Sequence, residues 1–191
     1  MKYLNLTLTL ILTSQLLGCV AAPVLVAGAA GGAMIATDER NAGRVIDDQF
    51  IESRAKDKIY ADAEIAKKIL INITCYNGVV LLSGEALTPS LRNRAVNIVR
   101  YMDNVRRVYD EIRVADLSSL KSRTNDGLIT SRVKTKMVTT SNFKSSQVTI
   151  ITEAGTVYLM GLVTKQAGHQ AAEIARNVSG VKRVVKLFEY I

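Results

Sequence analysis

Few side chains in this sequence have the types and spacing that bond-making chemistry requires. There is one histidine, His169, and there are two cysteines, Cys19 and Cys75. A protein-built zinc or iron–sulfur site needs about four clustered ligands, so no metal and no cofactor are expected. Neither a Gly-Xaa-Ser-Xaa-Gly elbow nor a His-Glu-Xaa-Xaa-His pair occurs, so the sequence reads as non-enzymatic. His169 falls on a predicted helix with no acid or nucleophile in register. Cys75 falls on the inward side of an alternating strand, where a thiol packs as a small apolar group. What remains acts by charge and apolar contact. Ile129, Val133 and Met137 recur at i, i+4 and i+8 and mark a buried helical stripe. Roughly opposite lie Leu128, Ser131, Lys134, Thr135 and Val138, with Arg132 at the margin. Leu128, Arg132, Lys134 and Val138 are therefore the candidate binding residues. The two apolar side chains suit the acyl boundary of a bilayer and the two cations its phosphate level. Each such cation near an anionic surface contributes about 1 kcal/mol; Lys136 and Lys144 add to the field. The matching outward positions of an earlier helix, Phe50, Lys56 and Tyr60, have Asp57, Asp62 and Glu64 nearby, which predicts a surface that repels anionic lipid.

The elements that position these residues are written twice. Gln49-Phe50-Ile51-Glu52-Ser53-Arg54-Ala55 matches Gly127-Leu128-Ile129-Thr130-Ser131-Arg132-Val133, Gly78 to Gly84 matches Gly155 to Gly161, and Val105-Arg106-Arg107-Val108 matches Val181-Lys182-Arg183-Val184. The offsets are 78, 77 and 76 residues, too long for a solenoid and suited to duplicated small domains. Each copy predicts a helix opening on a cap, Asp47/Asp48 in the first and Asn125/Asp126 in the second. Ile51, Ala55 and Ile59 form the first copy's buried stripe. Ile69, Ile71, Ile73 and Cys75 alternate as a strand that turns at Asn77-Gly78. A return strand runs Val79 to Gly84, with Thr156 to Gly161 as its counterpart. A second helix opens with Thr88 as cap and Pro89 at its first position, and its counterpart follows Thr164. The last strands are Val105 to Val114 and Val181 to Tyr190. A hairpin followed by a helical crossover makes a three-stranded mixed sheet with both helices on one face, an α+β fold of αββαβ units. The return strands are apolar on both faces, so the far side of a sheet is expected to be covered, by the other domain. The domains are placed at 46–116 and 117–191.

Charge is divided unevenly between them. The chain of 191 residues carries 25 Lys+Arg and 17 Asp+Glu, net +8. Residues 46–116 hold 11 basic and 11 acidic side chains, whereas residues 117–191 hold 11 and 4, net +7. That asymmetry points to an anionic partner for the second domain. The apolar fraction of 48% excludes a disordered chain, and two cysteines exclude a disulfide scaffold.

Residues 1–18 read as an export signal. Lys2 precedes a short apolar core, Leu4 to Thr13, too short to span a bilayer. Leu16-Leu17-Gly18-Cys19 then resembles the lipobox of bacterial lipoproteins. The resemblance implies that Cys19 becomes the first mature residue and carries acyl chains, each buried CH₂ contributing about 0.8 kcal/mol. Val20, in place of Asp, implies outer-membrane delivery with the domains facing the periplasm. Residues 19–45 are rich in Ala and Gly and read as a flexible tether of about 25–30 Å mean span. Export makes nucleic acid an unsuitable partner for the positive charge.

The repeated Gly-Xaa-Val-Xaa-Leu-Xaa-Gly, followed by a helix and Val-Xaa-Arg-Val, resembles the BON domain. Two such copies behind a lipobox resemble the dual BON-domain outer-membrane lipoproteins, and the resemblance covers nearly the whole mature chain. Asn104 stands in the first copy where the second has Gly180. The resemblance implies phospholipid binding and a role in outer-membrane integrity, with no catalysis, no cofactor and no small-molecule substrate. An alternative reading has the same basic surface dock on an acidic envelope protein, as an adaptor in envelope assembly or cell-wall remodelling.

Overall fold

In the computed structural model, which describes residues 42–191, the elements run α1 (Ala42–Ile59), α2 (Ala63–Ala66), β1 (Ile69–Tyr76), β2 (Val79–Ala86), α3 (Pro89–Arg100), β3 (Arg107–Val114), α4 (Leu120–Thr139), β4 (Thr149–Glu153), β5 (Thr156–Val163), α5 (Lys165–Arg176) and β6 (Arg183–Tyr190). A short 3₁₀ turn, Ser145–Gln147, precedes β4. Each half forms one sheet with its middle strand second in sequence, β1-β2-β3 and β4-β5-β6. The hairpin partners are antiparallel and the strands joined through a helix are parallel. The expected α+β plan of two mixed sheets is what the chain adopts. The signal segment, Cys19 and most of the tether lie outside the described residues.

Both helix starts differ from the sequence expectation. Helix α1 opens at Ala42, within the stretch read as tether, and α4 opens at Leu120 behind Ser119, whose Oγ accepts from Ser122 N at 3.3 Å. Asp48 and Asp126 are therefore interior helix residues and not caps. Both are buried, and each reaches across to a hairpin turn. Asp48 accepts from Asn77 N and Gly78 N, each at 2.7 Å. Asp126 accepts from Ala154 N and Gly155 N, each at 2.9 Å. The turns need this support because both of their residues have positive φ: 53° and 75° at Asn77 and Gly78, 50° and 80° at Ala154 and Gly155. Asn-Gly suits that geometry, whereas an alanine there costs about 1–2 kcal/mol. Asn104, at φ 65°, adopts the left-handed conformation that Gly180 adopts at 95°.

Strand alternation assigns each face of the middle strands to a different core. Val80 and Leu82 point to the helices and meet Ile51, Ala55 and Ile59 of α1 and Val96 and Val99 of α3. Val157 and Leu159 do the same against Ile129, Val133 and Met137 of α4 and Ala171 and Ala175 of α5. The alternate residues, Val79 and Leu81 of one sheet and Tyr158, Met160 and Leu187 of the other, pack together with Tyr76 in a third core. The two sheets thus lie back to back, which explains why the return strands are apolar on both sides. Complete burial of Leu81 and Met160 contributes about 1.5–3 kcal/mol each.

Polar pairs ring this interface. Asn72 Nδ2 donates to Glu153 Oε2 at 3.0 Å, Asn77 Nδ2 to Glu189 Oε2 at 2.6 Å, and Tyr158 OH to Glu111 Oε2 at 3.1 Å. Arg106 pairs with Glu189 at 2.9 Å and Arg183 with Glu111 at 3.3 Å. Glu85, fully buried on β2, is held by Arg113 and Ser118 N. Glu153 is also buried. Loss of water pushes its carboxyl above the ordinary range, and Glu85 across the domain boundary pushes the same way, against the Asn72 hydrogen bond and Arg113. Between the unfolded and the folded pKa, the folded chain therefore keeps a proton here that the unfolded chain has released. Stability from this group is full below the unfolded pKa and is lost as pH rises through the folded one. Glu153→Gln is expected to reduce the gain in melting temperature between about pH 7 and about pH 5 relative to the unaltered chain. Parallel melting curves at every pH would count against that assignment.

Candidate functional site

Helix α4 carries the candidate residues. Its inward stripe is as the spacing predicts: Ile129, Val133 and Met137 are fully buried. Leu128 is 50% exposed and Val138 61% exposed, beside exposed Arg132 and Lys134. The four do not converge on one point. Leu128 and Arg132, one turn apart, line a shallow groove with Lys136. Lys134 and Val138, also one turn apart, stand on the other flank. Leu128 and Val138 are separated by about 15 Å along the axis, at 1.5 Å per residue. The arrangement is a strip laid along a helix and not a pocket.

The strip is longer than its sequence signal. Leu120, 73% exposed, lies five helical turns before Val138 on the same bearing, and Lys121 and Arg123 follow it. Sequence reasoning missed all three because it began the helix at residue 125. The signal was Ser119, a good cap immediately before Leu120.

Two features of α4 bear on binding. Its only acid is Asp126, buried and committed to the hairpin turn, so the exposed charges are Lys121, Arg123, Arg132, Lys134 and Lys136, all positive. Three of its exposed hydroxyls are satisfied within the helix: Thr124 Oγ1 donates to Leu120 O at 2.9 Å, Ser131 Oγ to Gly127 O at 3.0 Å and Thr139 Oγ1 to Thr135 O at 3.0 Å. Such back-bonded hydroxyls need little from water, which lowers the cost of covering this face with an apolar surface.

Helix α1 differs from its sequence reading. Tyr60 does not face outward. The helix ends at Ile59, and the Tyr60 hydroxyl donates to Ile71 O at 3.1 Å and accepts from Ile71 N at 2.8 Å. Glu52 accepts from Cys75 N at 2.7 Å, Asp62 caps α2, and Glu64 pairs with Lys67. Cys75 is buried with Sγ 3.1 Å from Asp48 Oδ1, and burial followed by that carboxylate pushes its thiol far up, away from thiolate reactivity. His169 is exposed on α5. Among the described residues no group of three or more His, Cys, Asp or Glu could hold a metal ion, and no helix is long and apolar enough to cross a membrane.

The family described as BON domain matches residues 47–116 and 125–191. The chain is 36% identical over 179 residues to "Outer membrane lipoprotein DolP" of Haemophilus influenzae, covering 94% of this chain and 92% of that protein. It is 36% identical to the "21 kDa hemolysin" of Actinobacillus pleuropneumoniae, over 81% of this chain and 79% of that protein. It is 30% identical to "Osmotically-inducible protein Y" of Escherichia coli, over 80% of this chain and 77% of that protein.

Proposed function

This chain belongs to the BON-domain family, and from that premise we propose that it is a lipid-anchored outer-membrane protein, facing the periplasm, that binds anionic phospholipid through α4 of its second domain and helps keep the outer membrane intact. It is a binding protein of the envelope and not an enzyme. The anchor rests on Leu16-Leu17-Gly18-Cys19 and on the outer-membrane lipoprotein relative. The observation that carries the lipid reading is the α4 surface: every exposed charge on it is positive, and Leu120, Leu128 and Val138 protrude among those charges. A helix lying flat on a bilayer uses these two kinds of side chain together, burying the apolar ones at the acyl boundary and neutralising phosphate with the others.

Co-sedimentation of the mature chain carrying Cys19→Ser with lipid vesicles tests this without help from the anchor. Vesicles containing phosphatidylglycerol should bind it and neutral vesicles should not, with affinity falling as salt rises. Lys134→Glu reverses one charge and is expected to weaken binding by about 2 kcal/mol, between tenfold and a hundredfold. Leu128→Glu should act in the same direction, and Lys56→Glu on α1 should have little effect. Equal binding to neutral and anionic vesicles, or full binding by both α4 variants, would refute the reading.

A further inference from the structure

The duplication supplies an internal comparison. At the offset of 78, Phe50, Arg54 and Lys58 of α1 occupy the positions of Leu128, Arg132 and Lys136 of α4. Both trios line a surface groove. The one on the first domain encloses about 180 Å³ between α1 and the α3–β3 turn, over a floor of Ile51 and Met102. Four of its differences from the counterpart change rings or charge. Phe50 replaces Leu128, Tyr101 replaces Asn177, Asp47 replaces Asn125 and Asp103 replaces Ser179. The first domain has therefore added two rings and two carboxylates where the second has neither.

Those additions are poised outward. Phe50 is 58% exposed and Tyr101 83% exposed, large apolar areas left in water on a domain whose other big side chains are mostly covered. Asp47, Arg54, Lys58 and Asp103 make no ion pair and no side-chain hydrogen bond among the described residues. Two acids and two bases sum to zero, so an anionic bilayer gains nothing from the groove and would be repelled locally by Asp47 and Asp103. The charges are also ordered along α1. Asp47 precedes Phe50, and Arg54 and Lys58 follow it on the same stripe, over about 16 Å of axis. Exposed aromatic rings beside arginine are the composition of protein-binding hot spots.

We propose that this groove docks a protein partner, through a segment that sets a basic residue against Asp47, an apolar side chain between Phe50 and Tyr101, and an acidic residue against Arg54 and Lys58. The pair of domains then divides its labour: the copy on α4 offers cations, Leu128 and hydroxyls with neither a carboxylate nor a ring, and the copy on α1 reads a partner's charge order.

The test uses the full mature chain as bait for a displayed library of random short peptides, with Phe50→Ala as the counter-selection. Peptides that bind the unaltered chain should share the order basic, apolar, acidic. A representative synthetic peptide should lose about tenfold or more in affinity with Phe50→Ala, Tyr101→Ala or the double reversal Arg54→Glu with Lys58→Glu, and nothing with Leu128→Glu. These positions are exposed, so the melting temperature should stay unchanged and a loss of binding is not a loss of fold. The proposal is overturned if no enriched peptide depends on Phe50 and Tyr101, or if the enriched peptides ignore charge order. It is equally overturned if Phe50→Ala weakens binding to phosphatidylglycerol vesicles as much as Leu128→Glu does, since the groove would then belong to the membrane.

Discussion

Gly84→Ala is expected to lower the melting temperature of the first domain by about ten degrees or more. Gly84 sits in β2 opposite Ile71 of β1, at φ +118°. A Cβ there would lie 2.0 Å from the Leu70 carbonyl oxygen and 3.1 Å from its carbon. Those atoms are backbone, held in the hairpin ladder, and cannot swing aside as a side chain can. Accommodating the methyl requires β1 and β2 to part by more than an ångström, which breaks the hydrogen bonds that make the sheet. The left-handed backbone adds about 1–2 kcal/mol of strain for any residue with a Cβ. A loss of about 4 kcal/mol or more is expected, against a total of about 5–15 kcal/mol for a domain of this kind. Gly161→Ala repeats the clash in the second domain, where the Cβ would meet Gln147 O at 2.1 Å. Gly127→Ala is the control: it lies on α4, its Cβ would meet nothing within 4 Å, and it should be neutral or stabilising by up to about 1 kcal/mol. Thermal unfolding followed by circular dichroism separates these cases. A Gly84→Ala protein that melts like the unaltered chain would show that the two strands are not held so closely.

Asp126→Ala has the second largest expected effect. Its two oxygens hold Ala154 N and Gly155 N, both in a turn whose first residue is an alanine forced to positive φ. Removing the carboxylate leaves two backbone donors without their partner, at about 1–3 kcal/mol each, and releases a turn that has no Asn-Gly sequence to hold its shape. The expected loss is about 3–4 kcal/mol. Asp126→Asn should recover part of it, because an amide keeps one accepting oxygen. Asp48→Ala also removes the bond from the Cys75 thiol, but it leaves a turn whose Asn77-Gly78 sequence favours the required conformation by itself. A urea midpoint for Asp126→Ala equal to that of the unaltered chain would contradict the assignment.

The same two aspartates show where sequence reasoning reached its limit. An acid near the start of a helical pattern reads as a cap, because a carboxylate accepting backbone N–H groups is what a cap is. Asp48 and Asp126 do accept backbone N–H groups, but from turns about thirty residues away, and nothing local distinguishes the two uses. Strands were more legible. Alternation at Ile69, Ile71, Ile73 and Cys75 and the Asn77-Gly78 turn are local properties, and the apolar runs Val79–Leu82 and Val157–Met160 required something to cover a second face. The two sheets cover each other. Leu120 and Lys121 were lost because residues 121–125 contain no apolar side chain, so periodicity says nothing there and only the Ser119 cap remained. Tyr60 was misplaced because the outward bearing was carried one residue past the end of α1. The outward positions of α4 were legible, since a fully buried stripe at 129, 133 and 137 fixes the opposite face.

Back-to-back sheets have a geometrical consequence. The helices of each half must lie outermost, so α1 and α4 belong to opposite outer layers of a helix–sheet–sheet–helix stack. With layers about 10 Å apart, some 30 Å separates the two. If α4 rests on lipid as proposed, the opposite layer is lifted clear of the headgroups. The stack would then act as a spacer of fixed height, and a partner docked on α1 as proposed would be held at that standoff from the bilayer.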